Sequence, residues 1–126
     1  MKTRIEFTRS PIVPPAPELS SREIGAIVEF SGVVRELENG EKIPGLFYEA
    51  YEPMARTRLG KIFQELAAQH ACEEILFIHR LDFVPVGEAS LVIRVCSRHR
   101  QAALAVMAGL IDRLKADVPV WKRSGK

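Results

Sequence analysis

The sequence predicts an α+β fold, with a mostly antiparallel sheet and two main helices. Two segments repeat apolar residues at helical spacing, and several shorter ones alternate with the two-residue period of strands. The helical segments are separated by strand pairs, in the order β, β, β, α, β, β, α, β, which favours α+β over a doubly wound parallel sheet.

Residues 3–8 (TRIEFT) alternate, with Ile5 and Phe7 to one side, and read as a short strand. Residues 10–17 (SPIVPPAP) hold four prolines. Proline fixes φ and removes a donor, so this is an extended spacer, the start of a connector over 10–23. Glu18 to Glu23 reads as one helical turn within it. Residues 24–35 (IGAIVEFSGVVR) put Ile24, Ala26, Val28 and Phe30 on one strand face, and Gly32 marks a bulge or a close backbone approach. Asn39-Gly40 is a turn signal in the polar stretch 36–45, and residues 46–51 (LFYEAY) are a further strand.

Pro53 sits where the first turn of a helix accepts a proline. Leu59, Ile62, Phe63, Leu66, Ala67 and His70 then share one face of a helix over roughly residues 53–71. Residues 74–83 (EILFIHRLDF) align Ile75, Phe77, His79, Leu81 and Phe83 on one side, Val84 to Gly87 turn the chain, and residues 88–96 align Ala89, Leu91, Ile93 and Val95. The pair reads as a hairpin or near-hairpin. Ser97 is a candidate N-cap for a second helix, with Ala103, Val106, Met107, Leu110, Ile111 and Leu114 as its stripe and an end near Lys115 to Asp117. Val118-Pro119-Val120-Trp121 is a short extended closing segment. Burial of Trp121 would anchor the chain there and hold Lys122 in place.

At 126 residues the expectation is one domain, 1–126. No apolar run approaches the ~18 residues of a membrane helix, and no signal peptide is visible behind MKTRIEFTRS, so a cytoplasmic protein is expected. Two cysteines, Cys72 and Cys96, are too few for a disulfide framework or a four-cysteine zinc site, and neither H-E-x-x-H nor a paired C-x-x-C is present. Neither G-x-x-x-x-G-K-[ST] nor G-x-G-x-x-G occurs. Cys96 lies three residues before His99, but it alternates with an apolar strand face and reads as a structural thiol.

The net charge of +2 hides an asymmetry. Residues 94–126 carry eight basic and two acidic side chains, +6, whereas residues 1–93 carry ten and fourteen, −4. That favours an anionic partner for the basic segment, although the same charges also read as a solvated face. Ser97-Arg98-His99-Arg100 opens the second helix. Cations there are unfavourable against the helix dipole unless an anion shares the site, held by backbone N–H groups and guanidinium forks. Pairing with acids or solvent is the competing account. Lys115 lies in the last turn, where a cation is favoured in any case, and Arg35 closes a strand. Nucleic-acid binding is disfavoured, because Trp121 is the only aromatic among residues 94–126.

Five pieces, FSGVVR (30–35), YEAYEPMA (48–55), IHRLDFVPVGE (78–88), SRHRQAAL (97–104) and LKADVPVWKR (114–123), together resemble the large, catalytic subunit of molybdopterin synthase. The likeness runs from about residue 25 to residue 123. It implies an α/β-hammerhead type of α+β fold. It also implies sulfur transfer in molybdenum cofactor biosynthesis, in which a cyclic pyranopterin monophosphate receives two sulfurs and becomes the dithiolene molybdopterin. The sulfur donor implied is the C-terminal thiocarboxylate of a small ubiquitin-like subunit ending in two glycines. The assembly implied is a central homodimer of large subunits within a heterotetramer. By position, the catalytic lysines correspond to Lys115 and Lys122. The substrate-binding residues correspond to Val33, Val34 and Arg35, to Arg123 and Ser124, and to His99 and Arg100, which reach the pocket from the neighbouring subunit. The family usually has an acid where Ser124 stands. No metal or redox cofactor is expected, since the transferred sulfur comes from the partner. A non-catalytic module binding an anion or a tail through the same basic cleft is the alternative.

Overall fold

The computed structural model describes residues 1–124; Lys126, counted among the basic residues above, lies outside them. Its elements are β1 (Lys2–Thr8), β2 (Ala26–Val33), β3 (Leu37–Glu38), β4 (Glu41–Lys42), β5 (Gly45–Ala50), α1 (Glu52–Gln69), β6 (Glu74–Arg80), β7 (Asp82–Pro85), β8 (Ala89–Ser97), α2 (Arg100–Asp117) and β9 (Val120–Ser124). The fold is α+β. A four-stranded sheet runs β1-β6-β8-β2, a three-stranded sheet runs β7-β5-β9, and β3 and β4 form a small separate hairpin.

Both helices pack on one face of the larger sheet. Leu59, Ile62, Phe63 and Leu66 of α1 and Ala103, Val106, Met107 and Leu110 of α2 meet Ile75, Phe77, Ile93 and Val95 in one core. These are the positions the 3.6- and 2-residue periods selected. A second, small core of Val34, Ile43, Leu46 and Val84 sits under the three-stranded sheet.

The other face of the larger sheet is crossed by the proline-rich connector. Arg94 Nη2 donates to the Pro15 carbonyl at 2.8 Å and ion-pairs with Glu29 at 2.9 Å. The backbone N–H and hydroxyl of Ser20 both donate to Glu74 Oε2 at 2.7 Å. Partial burial works to raise the Glu74 carboxyl, but those two bonds, with Lys2 and Arg94 nearby, outweigh it and hold the group below the usual carboxylate range.

Several local expectations give way. Residues 18–23 form a turn and no helix, because the connector is held extended by the contacts just described. The run from Glu74 to Phe83 is broken: Asp82 takes φ 66°, and the chain leaves β6 for β7 in the other sheet, so Phe83 packs on Phe47 at 5.1 Å between ring centroids. β8 then returns beside β6, making a near-hairpin with β7 inserted in its connection. β1 pairs with β6 in parallel, the one parallel pairing among the described residues. Ser97 ends β8, fully buried, and His99, in extended conformation, caps α2 instead. Trp121 is 57% exposed. At Gly32/Val33 the β2–β8 register shifts, as the glycine suggested. Asn39 and Gly40 adopt φ 51° and 79°, the left-handed pair that a two-residue hairpin turn demands. Gly45 is fixed by crowding, since a Cβ there would lie 2.4 Å from the Val84 carbonyl oxygen and 2.6 Å from the Phe83 ring.

Candidate active site

An open cleft of about 700 Å³ lies where the C-terminal half of α2 faces the two sheets. Its cationic lining comes from three separate segments: Arg35 after β2, Lys115 in the last turn of α2, and Lys122 in β9. Local geometry explains each placement. The β2 bulge re-aims the strand end that carries Val33, which also lines the cleft, and Arg35. α2 stops at Val118 and Pro119, and the backbone of Tyr51 donates to the Pro119 carbonyl at 3.2 Å, turning the chain into β9. In β9, Lys122 pairs in register with Tyr48, so both face the cleft. The next residue, Arg123, faces the opposite side, its guanidinium 4.4 Å from the centre of the Phe47 ring.

The charges differ in their partners. Lys122 Nζ lies 3.7 Å from Glu38 Oε1, on the β3–β4 hairpin. Lys115 is exposed and makes no ion pair within the described residues. The indole of Trp121 joins the lining from the open side, and the floor holds Tyr48 and His79, with ring centroids 5.1 Å apart edge to face. His79 is 4% exposed. Its Nδ1 lies 2.8 Å from the Arg80 carbonyl oxygen. Burial pushes its pKa down, against a smaller upward push from that hydrogen bond.

Of the residues singled out from the sequence, the structure therefore gathers Val33, Arg35, Lys115 and Lys122. Val34 is buried in the small core. Ser124 pairs with Leu46 and, like Arg123, is not among the lining residues. His99 and Arg100 open α2, at the other end from Lys115; fifteen residues of helix separate Arg100 from Lys115, about 23 Å at 1.5 Å per residue. Both are exposed, and Arg98 beside them pairs with Glu73 at 3.3 Å. Cys96 is buried and Cys72 half-buried, and burial raises both thiols. Neither has the electropositive setting of a nucleophilic thiolate. No three His, Cys, Asp or Glu side chains gather to hold a metal ion among the described residues, and no helix there is long and apolar enough to cross a membrane.

Sequence reasoning passed over His79, Tyr48 and Glu38. Alternation with apolar residues hides His79 in a strand stripe, and a polar ring inside such a stripe is the available signal. Glu38 became relevant only once the hairpin folded toward β9.

Comparison with known proteins adds the family. The family model described as MoaE protein matches residues 8–117. The chain is 40% identical over 122 residues to the molybdopterin synthase catalytic subunit of Bacillus subtilis (strain 168), covering 95% of this chain and 78% of that one. It is 44% identical over 99 residues to the human molybdopterin synthase catalytic subunit, covering 79% of this chain and 53% of that one, so it spans about half the human protein's length. The crystal structure of molybdopterin synthase from Staphylococcus aureus superposes with a TM-score of 0.82 at 30% identity, over 94% of this chain and 88% of that one. With this sequence match over most of its length and this shared fold, the chain belongs to the MoaE family, that of molybdopterin synthase catalytic subunits.

Proposed function

We propose that the chain is the catalytic subunit of a molybdopterin synthase, acting in the cytoplasm. It converts a cyclic pyranopterin monophosphate to molybdopterin with sulfur from the C-terminal thiocarboxylate of a small ubiquitin-like subunit. The observation that carries this reading is the convergence of Arg35, Lys115 and Lys122, distant in sequence, on one cleft.

The chemistry needs such a cleft. The substrate brings a phosphate and the partner's tail brings an anionic thiocarboxylate, and each supplies acceptors only. Arginine meets phosphate with a planar fork of donors, and Arg35 is suited to that role. Once the sulfur has bonded to the substrate as an acyl thioester, water adds to the acyl carbon and negative charge develops on its oxygen; collapse breaks the C–S bond, leaving the sulfur on the pterin product and a carboxylate on the tail. The ammonium groups of Lys115 and Lys122 offset that charge. Glu38 holds Lys122 until an anion displaces it. His99 and Arg100 join the site from a second copy of the chain, because one copy holds them a helix length from Lys115.

Reconstitution tests this directly. The chain, a thiocarboxylated small subunit ending in Gly-Gly and the cyclic pyranopterin are mixed, and dithiolene product is measured. Product formation is expected; binding of the tail without turnover would instead favour the non-catalytic module.

A further inference from the structure

We propose that His79 is a substrate-reading residue, accepting at Nε2 a hydrogen bond from an N–H group of the pterin ring. The inference rests on the proposed function and deepens it, by assigning the end of the cleft that recognises the heterocycle.

The tautomer follows from one contact. A carbonyl oxygen only accepts, so the 2.8 Å approach of His79 Nδ1 to the Arg80 carbonyl places a hydrogen on Nδ1. In the neutral ring Nε2 then carries a lone pair. No hydrogen-bond partner for Nε2 exists among the described residues, and the ring lines the cleft. The edge-to-face contact with Tyr48 and the Arg80 bond hold the ring in one orientation. Burial keeps the imidazole neutral.

The surrounding groups show why such an acceptor matters. The charged groups lining the cleft are Arg35, Lys115 and Lys122, which are donors only. The Trp121 indole is also a donor only. The Ser90 hydroxyl spends its hydrogen on the Gly32 carbonyl at 3.3 Å, and it and the lining Ser31 and Tyr48 hydroxyls are the side-chain oxygens that can also accept. A phosphate is fully served by this set. A pyrimidine-type edge, with its amino group and ring N–H, needs an acceptor, and His79 Nε2 is the one lining nitrogen with a lone pair.

The test separates ring from phosphate. Binding of 6-hydroxymethylpterin, which has the heterocycle and no phosphate, is titrated against wild type, His79→Phe and His79→Gln, with inorganic phosphate as the second probe. His79→Phe is expected to weaken pterin binding by about 5- to 150-fold, the range for a buried donor left unpaired, and to leave phosphate binding within about twofold. His79→Gln restores an acceptor and recovers most of the loss. In turnover, His79→Phe raises KM for the pyranopterin with little change in kcat, a split that loosened packing alone would not produce. Equal pterin binding by wild type and His79→Phe would overturn the assignment, as would wild type that binds phosphate but not the pterin. Should His79→Phe not fold, the 15N resonance of Nε2 in the wild-type protein decides: it shifts with the pterin and not with phosphate, and no shift refutes the proposal. Failure of reconstituted wild type to form dithiolene strikes the proposed function instead, and is scored in a separate assay.

Discussion

Lys115 occupies the last turn of α2, where the partial negative charge of the helix end favours a cation whatever else the residue does. Replacing it therefore costs little stability, about 0.3–1 kcal/mol. Lys115→Ala is expected to abolish sulfur transfer with a small change in thermal midpoint, and full turnover by that variant would remove it from the catalytic set. His79 behaves differently. Burial holds its imidazole below the ordinary value of about 6.5, so on acidification the unfolded chain takes up the proton first. The stability contributed by keeping this ring neutral is complete above about pH 6.5 and is lost as pH falls below it. Urea midpoints are expected to drop between about pH 7 and about pH 5, and to drop less in His79→Gln. The three gathered cations were legible through the family resemblance of the segments that carry them; charge alone left Lys115 as an ordinary helix-end cation and Arg35 as a strand-end side chain. His79 was not, because a strand's alternation assigns a face without saying what lies across from it.

At the level of elements, two small features act on the three-stranded sheet. Gly45 lets β5 approach β7 closely, and Gly45→Ala would push a methyl group into the Val84 carbonyl and the Phe83 ring. Backbone yields little, so a loss of about 1–3 kcal/mol is expected in chemical denaturation. The β3–β4 hairpin carries Glu38 to Lys122. An ion pair this exposed contributes about 0.2–1 kcal/mol, so Glu38→Gln is expected to tighten binding of inorganic phosphate by about 1.5- to 5-fold in calorimetry. The hairpin's turn was legible from Asn39-Gly40, and both helices from their stripes. The passage from β6 to β7 was not: Phe77, His79, Leu81 and Phe83 keep strict alternation across a break that a single left-handed Asp82 creates. Nor was the N-cap of α2, since Ser97 was drawn into the sheet by its pairing with Ala26.

Over the whole molecule, the basic segment is dispersed: Lys115 and Lys122 line the cleft, Arg98, His99 and Arg100 sit at the far end of α2, and Arg94, Arg113 and Arg123 are engaged elsewhere. A site shared between two copies makes a sharp prediction. Lys115→Ala and Arg100→Ala, each inactive alone, are expected to regain about a quarter of wild-type activity when co-refolded, because random pairing makes half the dimers mixed and each mixed dimer has one intact site. No recovery would confine each site to one chain. The α+β class was legible in the order of elements, whereas the parallel pairing of β1 was not, because it joins residues far apart in sequence and leaves no local mark. That pairing also orders the birth of the molecule. Lys2 meets Glu74 and Thr8 meets Arg80, so β1 stays without its partner strand until β6, some seventy residues further along, has been made. Ile5 and Phe7 stay uncovered through that interval, apolar surface that invites aggregation until β6 arrives to cover it.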